Sequence, residues 1–399
     1  MHIEIKRSLK KDLTCCDAKE EIFSDGDFLK ELNSIISKKK LDAGKADAAC
    51  NEYLKEIAAG YSKSKIFWSI AETVVRRTIM GGFKKIYYNK ENVKIIRDLA
   101  KNNLITIVPN HRSVFDFMII PYILVKETTF MPIILAADVF NVFPLGNIFR
   151  RFGAYFVRRS ETDELYSLVF RHYVMLIMKY ELVHMVFIEG GRNKSGGYSS
   201  PKKGILKYIF DGAKKYKIKK DLLFVPVNIS YDIVPESHVV IEEMALGRRK
   251  HIFSSVISYI TKKNLGNCYI NFGKPVKMSD FLARYKLENK FIDSLGACLI
   301  NNIKSLVIVS PISLTSYTLL KSNKIKFSEF KKLFLKNFKA LKKTKCNINY
   351  IDVNKIGEYV EFADEKGIIT FDRNRDLINL NGQQIKLIEY YSNNIAHLF

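Results

Sequence analysis

Two residues five positions apart, His111 and Asp116, stand in the stretch Val108-Pro-Asn-His-Arg-Ser-Val-Phe-Asp116, directly after the apolar run Leu104-Ile-Thr-Ile-Val108. An imidazole takes a proton from an attacking hydroxyl at neutral pH, and a carboxylate on its second nitrogen fixes the tautomer and stabilises the imidazolium that forms. Positions i and i+5 lie about 140° apart on a continuous helix, so the pair meets more easily if His111 precedes the helix start. Asn110 to Ser113 can supply that turn and its cap. The plainer alternative is a surface histidine beside a helix whose first turn carries Asp116; three segments downstream favour the catalytic reading.

The first, Gly153-Ala-Tyr-Phe-Val-Arg158-Arg159, places two guanidinium groups after a β-like run, a device for holding a phosphate through paired charge-assisted bonds. Adjacent arginines also occur on solvated loops. In Phe187-Ile-Glu189-Gly190-Gly191-Arg192-Asn193-Lys194-Ser195-Gly196, glycines that let a ligand approach the backbone are bracketed by a carboxylate and cations. The third, Phe224-Val-Pro226-Val227-Asn-Ile229, reads as a buried strand interrupted by proline, expected at an edge or as the wall of a groove. No serine or cysteine stands in a nucleophile motif of its own, and His172, His184, His238 and His251 lack metal-ligand spacing, so they read as surface or core histidines.

The elements that must position these groups follow from periodicity. From Leu104 to about Val276, β-like runs at Leu104–Val108, Met131–Ala136, Ala154–Val157, Val183–Ile188, Leu222–Ile229 and Cys268–Phe272 alternate with helix-like stretches, which predicts an α/β domain with a mixed sheet flanked by helices. Three regions are expected: an N-terminal helical region over 1–90, the α/β domain over 91–320, and a basic helix with a small α+β extension over 321–399. Two helices have ambiguous faces. Residues 66–75 carry the rows Ile66-Ile70-Val74 and Phe67-Ala71-Val75, with Trp68 beside them and Arg76-Arg77 after, and fit an interfacial helix or one packed on the main domain. Lys324–Lys345 sets Phe327, Phe330, Phe334, Phe338 and Leu341 on one face with lysines around the other, and fits a membrane-surface helix or a cover for the core. Gly367 to Leu380 reads as two short strands around Asp372-Arg-Asn-Arg-Asp376, followed by a helix to Phe399.

With 399 residues, 47% of them hydrophobic, the chain can bury a large core and is not a disordered protein. Its 65 lysines and arginines outnumber 41 acidic residues, and the net charge of +24 predicts an anionic partner: nucleic acid, an anionic membrane surface or a phosphorylated small molecule. No nucleic-acid motif accompanies the charge. Leu246-Gly-Arg-Arg-Lys250 fits a donor or membrane contact, or equally a solvated basic loop. Six cysteines without paired spacing, and an opening without a signal-peptide pattern, fit a reducing cytoplasmic setting. No apolar run reaches the roughly 18 residues needed to span a bilayer, so an involved membrane would be met at its surface.

These blocks, in this order, resemble the glycerolipid acyltransferase superfamily, and in detail its membrane glycerol-3-phosphate acyltransferase branch with the related dihydroxyacetone-phosphate acyltransferases. The resemblance rests on His111-Arg112-Ser113, on Phe149-Arg-Arg-Phe-Gly-Ala-Tyr-Phe-Val-Arg-Arg-Ser160, and on Glu189-Gly-Gly-Arg192 running on to Pro201-Lys202-Lys203-Gly204. It extends through Tyr53-Leu-Lys-Glu-Ile-Ala-Ala, Asn271-Phe-Gly-Lys-Pro275, Ser310-Pro311 and the closing Tyr390-Tyr-Ser-Asn-Asn-Ile-Ala-His-Leu-Phe399, covering residues from about 45 onward. Tyr155, Lys194 and Ser195 depart conservatively from the family's more frequent Phe, Arg and Thr, and long members of the branch extend beyond the closing segment, which puts membrane attachment and full activity in question.

The resemblance implies transfer of a fatty acyl group from acyl-CoA or acyl carrier protein to the sn-1 hydroxyl of glycerol 3-phosphate, with dihydroxyacetone phosphate as the alternative acceptor. His111 would be the general base and Asp116 its orienting partner. Arg159 and Arg192 would hold the phosphate, assisted by Arg158, Lys194 and Lys202, and Glu189 would bind a glycerol hydroxyl or orient an arginine. Arg112, Ser113, Gly190 and Gly191 would line the substrate, Ser113 as a turn residue, with backbone N–H groups near Asn110 or the Gly190-Gly191 turn as oxyanion donors. No cofactor, metal or nucleic acid is implied, and the expected location is the cytoplasmic face of the cell membrane, held peripherally or monotopically. A non-catalytic membrane or phosphate-binding module would keep the same fold, and loss of His111 or Asp116 would favour it; both are present.

Overall fold

The computed structural model describes residues 13–158, 161–246, 264–284 and 288–399. Four helices come first: α1 (Cys15–Phe23), α2 (Gly26–Lys39), α3 (Ala43–Ile57) and α4 (Lys65–Gly82). The α/β part follows as β1 (Lys85–Tyr88), α5 (Lys90–Leu99), β2 (Asn103–Pro109), α6 (Asp116–Thr128), β3 (Ile133–Ala137), α7 (Leu145–Arg151), β4 (Ala154–Val157), α8 (Glu164–Lys179), β5 (His184–Met185), α9 (Lys203–Lys215) and β6 (Asp221–Tyr231). Next come α10 (Ser237–Leu246), β7 (Asn267–Phe272), β8 (Val276–Lys277), α11 (Met278–Arg284), α12 (Glu288–Ser305) and α13 (Pro311–Leu319). The chain closes with β9 (Lys324–Lys326), α14 (Phe327–Lys342), α15 (Ile356–Glu365), β10 (Thr370–Asp372), β11 (Leu377–Asn379) and α16 (Gly382–Ser392).

The main sheet has the order β1-β7-β6-β2-β5-β3-β4, with β8 also on β6. β6, β2, β5, β3 and β4 run parallel, β7 is antiparallel to β6, and the sheet is therefore mixed. Parallel strands are covered on both faces, which is why Leu104–Val108 is almost continuously apolar. Alternate residues enter two cores: Ile105 and Ile107 join Val225, Val227 and Ile229 on one side, while Leu104 and Val108 join Leu222 and Phe224 on the other. The second side is roofed by α1–α3, α8, α9 and α12, and the first by α5, α6 and the helices of the C-terminal extension.

Four expectations change. The sheet begins at β1, inside the region expected to be wholly helical. Pro226 lies in the central strand β6, not at an edge: its carbonyl, which accepts from Gly273 N–H at 2.8 Å, faces the gap where pairing passes from β8 at Leu223–Phe224 to β7 at Val227–Tyr231. A residue's N–H and C=O point to the same side of a strand, so the N–H that proline lacks has no ladder partner there. The extension is not set apart, because Phe330, Phe334 and Leu341 of α14 are fully buried in the same core as β2 and β6. The aromatic face of α14 thus covers the core and is closed to a membrane. The three-stranded sheet β10-β11-β9 sits beside it, and α16 ends at Ser392 instead of continuing to Phe399.

Candidate functional site

The carboxyl ends of parallel strands are where a doubly covered sheet leaves its loops open to ligands. Here β2 delivers His111, the chain after β5 delivers Glu189–Arg192, and β6 delivers Tyr231 and Glu236 to that same end. The turn after β2 is docked on β6. Asn110 N–H donates to the Val227 carbonyl at 3.2 Å, and its side chain both accepts from Ile229 N–H at 2.7 Å and donates to the Ile229 carbonyl at 3.0 Å.

His111 precedes the start of α6, as its spacing from Asp116 favours, and its Nδ1 lies 2.8 Å from Asp116 Oδ2. That oxygen also accepts the N–H groups of Arg112 at 2.7 Å and Ser113 at 3.0 Å, while Oδ1 accepts the Tyr231 hydroxyl at 2.5 Å. Every partner of the carboxylate donates to it, so the proton of the pair belongs on His111 Nδ1 and the Nε2 lone pair is left to act as a base. Asp116 is fully buried and His111 nearly so, its ring 4.2 Å from Phe187 and 5.3 Å from Phe117 between centroids.

The Glu189–Gly197 loop wraps this turn. Glu189 is buried, accepting His111 N–H at 3.2 Å through Oε1, and Asn193 Nδ2 at 3.0 Å and Ser199 N–H at 2.7 Å through Oε2. It braces the histidine's backbone and, among the described residues, pairs with no arginine. Asn193 N–H adds a bond to the His111 carbonyl at 2.9 Å. Gly190 has φ +71°, and a Cβ there would stand 2.5 Å from Lys202 Cγ, so the lysine stem lies directly over the turn. Two proposed oxyanion donors are engaged elsewhere: Asn110 N–H on β6, and Gly190 N–H with the Phe187 carbonyl at 2.9 Å.

The expected basic residues divide. Arg192 borders the site, its Nη1 3.7 Å from Glu236 Oε1, and Lys194 follows it on the loop with Nζ 3.7 Å from Glu243. Arg112 is a clasp and not a free ligand arm: its buried guanidinium donates to the Gly196 carbonyl at 2.7 Å, to the Gly197 carbonyl, and to Asn394 Oδ1 at 3.0 Å, and it lies over Tyr198. Ser113 Oγ donates to Glu236 at 2.7 Å and accepts from Phe115 N–H at 3.1 Å, the arrangement of a turn residue. Arg158 leaves β4 at the far edge of the sheet, three strands from β2, or about 14 Å. There it forms a fork on Glu56 at 2.8 and 2.6 Å and a pair with Glu161 at 2.7 Å, which ties α3 to β4 and raises its already high pKa further. Arg159 and residues 247–250 lie outside the described residues.

Sequence reasoning missed Tyr231, Glu236 and the C-terminal clasp. Glu236 is fully buried; it accepts Ser113 Oγ and Val114 N–H, both at 2.7 Å, and burial raises its pKa above the usual carboxylate range. The available signal was an acid five positions beyond the end of a buried strand that faces the His111 turn. The closing segment reaches the same loop, with Asn393 Nδ2 donating to the Ser195 carbonyl at 2.9 Å and Tyr198 edge-on to His397. A Cβ on Gly196, φ +78°, would stand 1.8 Å from the Tyr390 carbonyl, so α16 is seated on the loop itself.

Residues 86–230 match the acyltransferase family, and residues 252–399 match the glycerol-3-phosphate acyltransferase C-terminal region. A glycerol-3-phosphate acyltransferase of Shewanella frigidimarina is 30% identical over 399 residues, covering 92% of this chain and 48% of its own length. One of Actinobacillus pleuropneumoniae serotype 5b is 27% identical over 395 residues, covering 90% of this chain and 46% of its own. The chain thus spans about half the length of the curated relatives it matches. The crystal structure of a 1-acyl-sn-glycerophosphate acyltransferase from Thermotoga maritima aligns with TM-score 0.34 and 18% identity over 72% of this chain and 91% of that one.

Proposed function

From its membership of the glycerolipid acyltransferases, in the glycerol-3-phosphate acyltransferase branch, we propose that this chain transfers a fatty acyl group from an acyl thioester to the sn-1 hydroxyl of glycerol 3-phosphate. The observation that carries the reading is the 2.8 Å contact of His111 Nδ1 with a buried, otherwise fully donated-to Asp116, at the carboxyl end of β2 beneath a loop bearing Arg192, Lys194 and Lys202.

His111 Nε2 takes the proton of the acceptor hydroxyl as the oxygen attacks the thioester carbonyl. Asp116 holds the ring and balances the imidazolium. The thiol leaves with a proton returned from His111, so the residue ends as it began and no acyl-enzyme is formed. Arg192, with Lys194 and Lys202, holds the acceptor phosphate, and Glu236 keeps the Arg192 guanidinium aimed across the Ser113 turn. Arg159 is a further phosphate ligand by its place in the Gly153–Ser160 block. Such positioning of an acceptor is worth about 7 kcal/mol or more of the barrier in favourable cases. The basic surplus and the lipid nature of the product support a peripheral seat on the anionic cytoplasmic leaflet.

The test supplies purified protein with palmitoyl-CoA or palmitoyl-acyl carrier protein and compares labelled glycerol 3-phosphate with dihydroxyacetone phosphate. Preferred acylation of glycerol 3-phosphate is expected. Preference for dihydroxyacetone phosphate would move the chain to the sister activity, and no acylation with any pair would overturn the enzymatic reading in favour of a binding module.

A further inference from the structure

Helix α4 presents an apolar face to water. Phe67, Trp68, Ala71, Val75 and Ile79 turn toward the protein, while Ile66, Ile70, Val74 and Met80 are 73, 60, 55 and 64% exposed. At about 100° per residue these four outward side chains fall within an arc of about 120°, with Arg77 inside the arc and Arg76 near its border. A helix that merely covers a core carries charged and polar groups there. The arc's one acidic neighbour on the helix, Glu72, points well outside it.

A second exposed apolar element belongs to the segment that packs on the inner row of α4. Between β3 and β4, Val142 is 53% and Phe143 88% exposed. The helix that follows them, α7, is capped at its C-terminus by Phe152, whose ring packs at 5.3 Å on Phe67 and 5.5 Å on Trp68. From the same helix, rings lead inward to the site: Phe149 to Phe140 at 6.1 Å, Phe140 to Phe117 at 6.0 Å, and Phe117 to His111 at 5.3 Å. An apolar rim in water is thus joined by aromatic side chains to the imidazole.

We propose that the outer face of α4, with the Val142–Phe143 tip, is the surface on which this protein seats on a bilayer bearing anionic head groups. The proposal rests on the peripheral-membrane reading above and assigns it a place. Charge complementarity selects this occupant: exposed Arg77 lies within the apolar arc and exposed Arg76 near its border, with exposed Lys63, Lys84 and Lys85 close in sequence to the two ends of the helix, in a chain of net charge +24. Among the described residues no helix is long and apolar enough to cross a membrane, so the helix lies in the interfacial plane. Helix α14, whose stripe also fitted a membrane surface, has its aromatic row closed inside the core.

The experiment is sedimentation of the chain with phosphatidylcholine vesicles, with and without phosphatidylglycerol. It compares wild type with Ile66→Gln/Ile70→Gln/Val74→Gln and with Arg76→Gln/Arg77→Gln; the sites are exposed and Gln suits a helix, so the fold is retained, as an unchanged thermal midpoint would verify. Wild type is expected to partition onto the phosphatidylglycerol vesicles. The apolar triple variant should bind roughly a hundredfold more weakly. The arginine pair should bind about thirtyfold more weakly, with a reduced response to salt. A control at Lys331→Gln/Lys336→Gln on α14 should bind more nearly like wild type than either. Undiminished binding of the triple variant overturns the assignment of the face and leaves a peripheral enzyme. Failure of wild type to bind any vesicle overturns both the face and the membrane reading. Self-association in solution that the triple variant abolishes, without vesicle binding, replaces the bilayer by a second copy of the chain. Equal turnover of a short, water-soluble acyl thioester by wild type and triple variant keeps the acyl-transfer reading separate from all three.

Discussion

Replacing Tyr231 by Phe removes one oxygen from the centre of the site and little else. The ring is buried, 2% exposed, and stays packed 5.4 Å from Phe83, while Asp116 loses the 2.5 Å bond from the Tyr231 hydroxyl and keeps His111 and two backbone N–H groups. A hydrogen bond to a charged group contributes about 1.5–3 kcal/mol, so the unfolding free energy should fall by about that amount. Tyr231 touches the orienting carboxylate and no substrate. The loss should therefore appear in kcat, about tenfold for each 1.4 kcal/mol of misplaced or unsupported imidazole, with KM for the acceptor little changed. The assay is urea unfolding together with steady-state acyl transfer for Tyr231→Phe, Asp116→Asn and the double variant. If the hydroxyl acts through Asp116, the tyrosine change costs much less on the asparagine background, with a coupling of about 1 kcal/mol or more. Full stability and kcat in Tyr231→Phe, or strictly additive losses, would refute the reasoning.

Glu236→Gln leaves a buried turn with one acceptor oxygen for two donors, and Arg192 without a counter-charge 3.7 Å away; an increase of about tenfold in KM for the phosphorylated acceptor, larger than the fall in kcat, is expected from steady-state kinetics. Two buried histidines should also cost stability in acid. Burial depresses His172 to about 4 and His184 to about 3, both from an ordinary 6.5. The unfolded chain binds these protons first, so the stability present above pH 6.5 is lost progressively as pH drops toward 4 and 3, by about 1.4 kcal/mol per pH unit for each histidine. Buried Asp232, pushed up to about 7, and Glu236, also raised, take protons first in the folded chain and oppose this loss, so the check is an NMR titration of the two imidazoles: both should still be neutral at pH 5, and protonation near 6.5 would contradict their burial.

The His111–Asp116 pair was legible because its geometry is local: a strand end, a turn and a helix start set it without help from distant chain. Its supports were not legible, since Tyr231 and Glu236 lie 115 and 123 positions from Asp116 and Ser113 and meet them only once β6 is laid beside β2. The strands of the parallel core stood out as apolar runs buried on both faces, whereas β1, with Lys85 at its start and only four residues, carries no such run. Amphipathic period showed that α4 and α14 each have an apolar stripe; it does not say whether the stripe meets core, water or lipid. In α4 both adjacent rows are apolar, and packing against Phe152 and α6 selected the Phe67-Ala71-Val75 row. Arg192 as a phosphate ligand and Arg158 as its assistant both stand after strand-like runs, and the strand order separates them, leaving Arg158 with Glu56 at the far edge.

The most direct test of the central claim compares wild type and His111→Ala for transfer of palmitate from palmitoyl-CoA, or from acyl carrier protein, to labelled glycerol 3-phosphate, with both proteins shown to be folded and to bind the acceptor equally. Loss of about 10³-fold or more in kcat with acceptor binding intact is the expected result for a general base whose removal leaves the positioning groups in place. Equal rates from the two proteins would contradict the assignment of His111 and, with it, the mechanism built on the Asp116 contact.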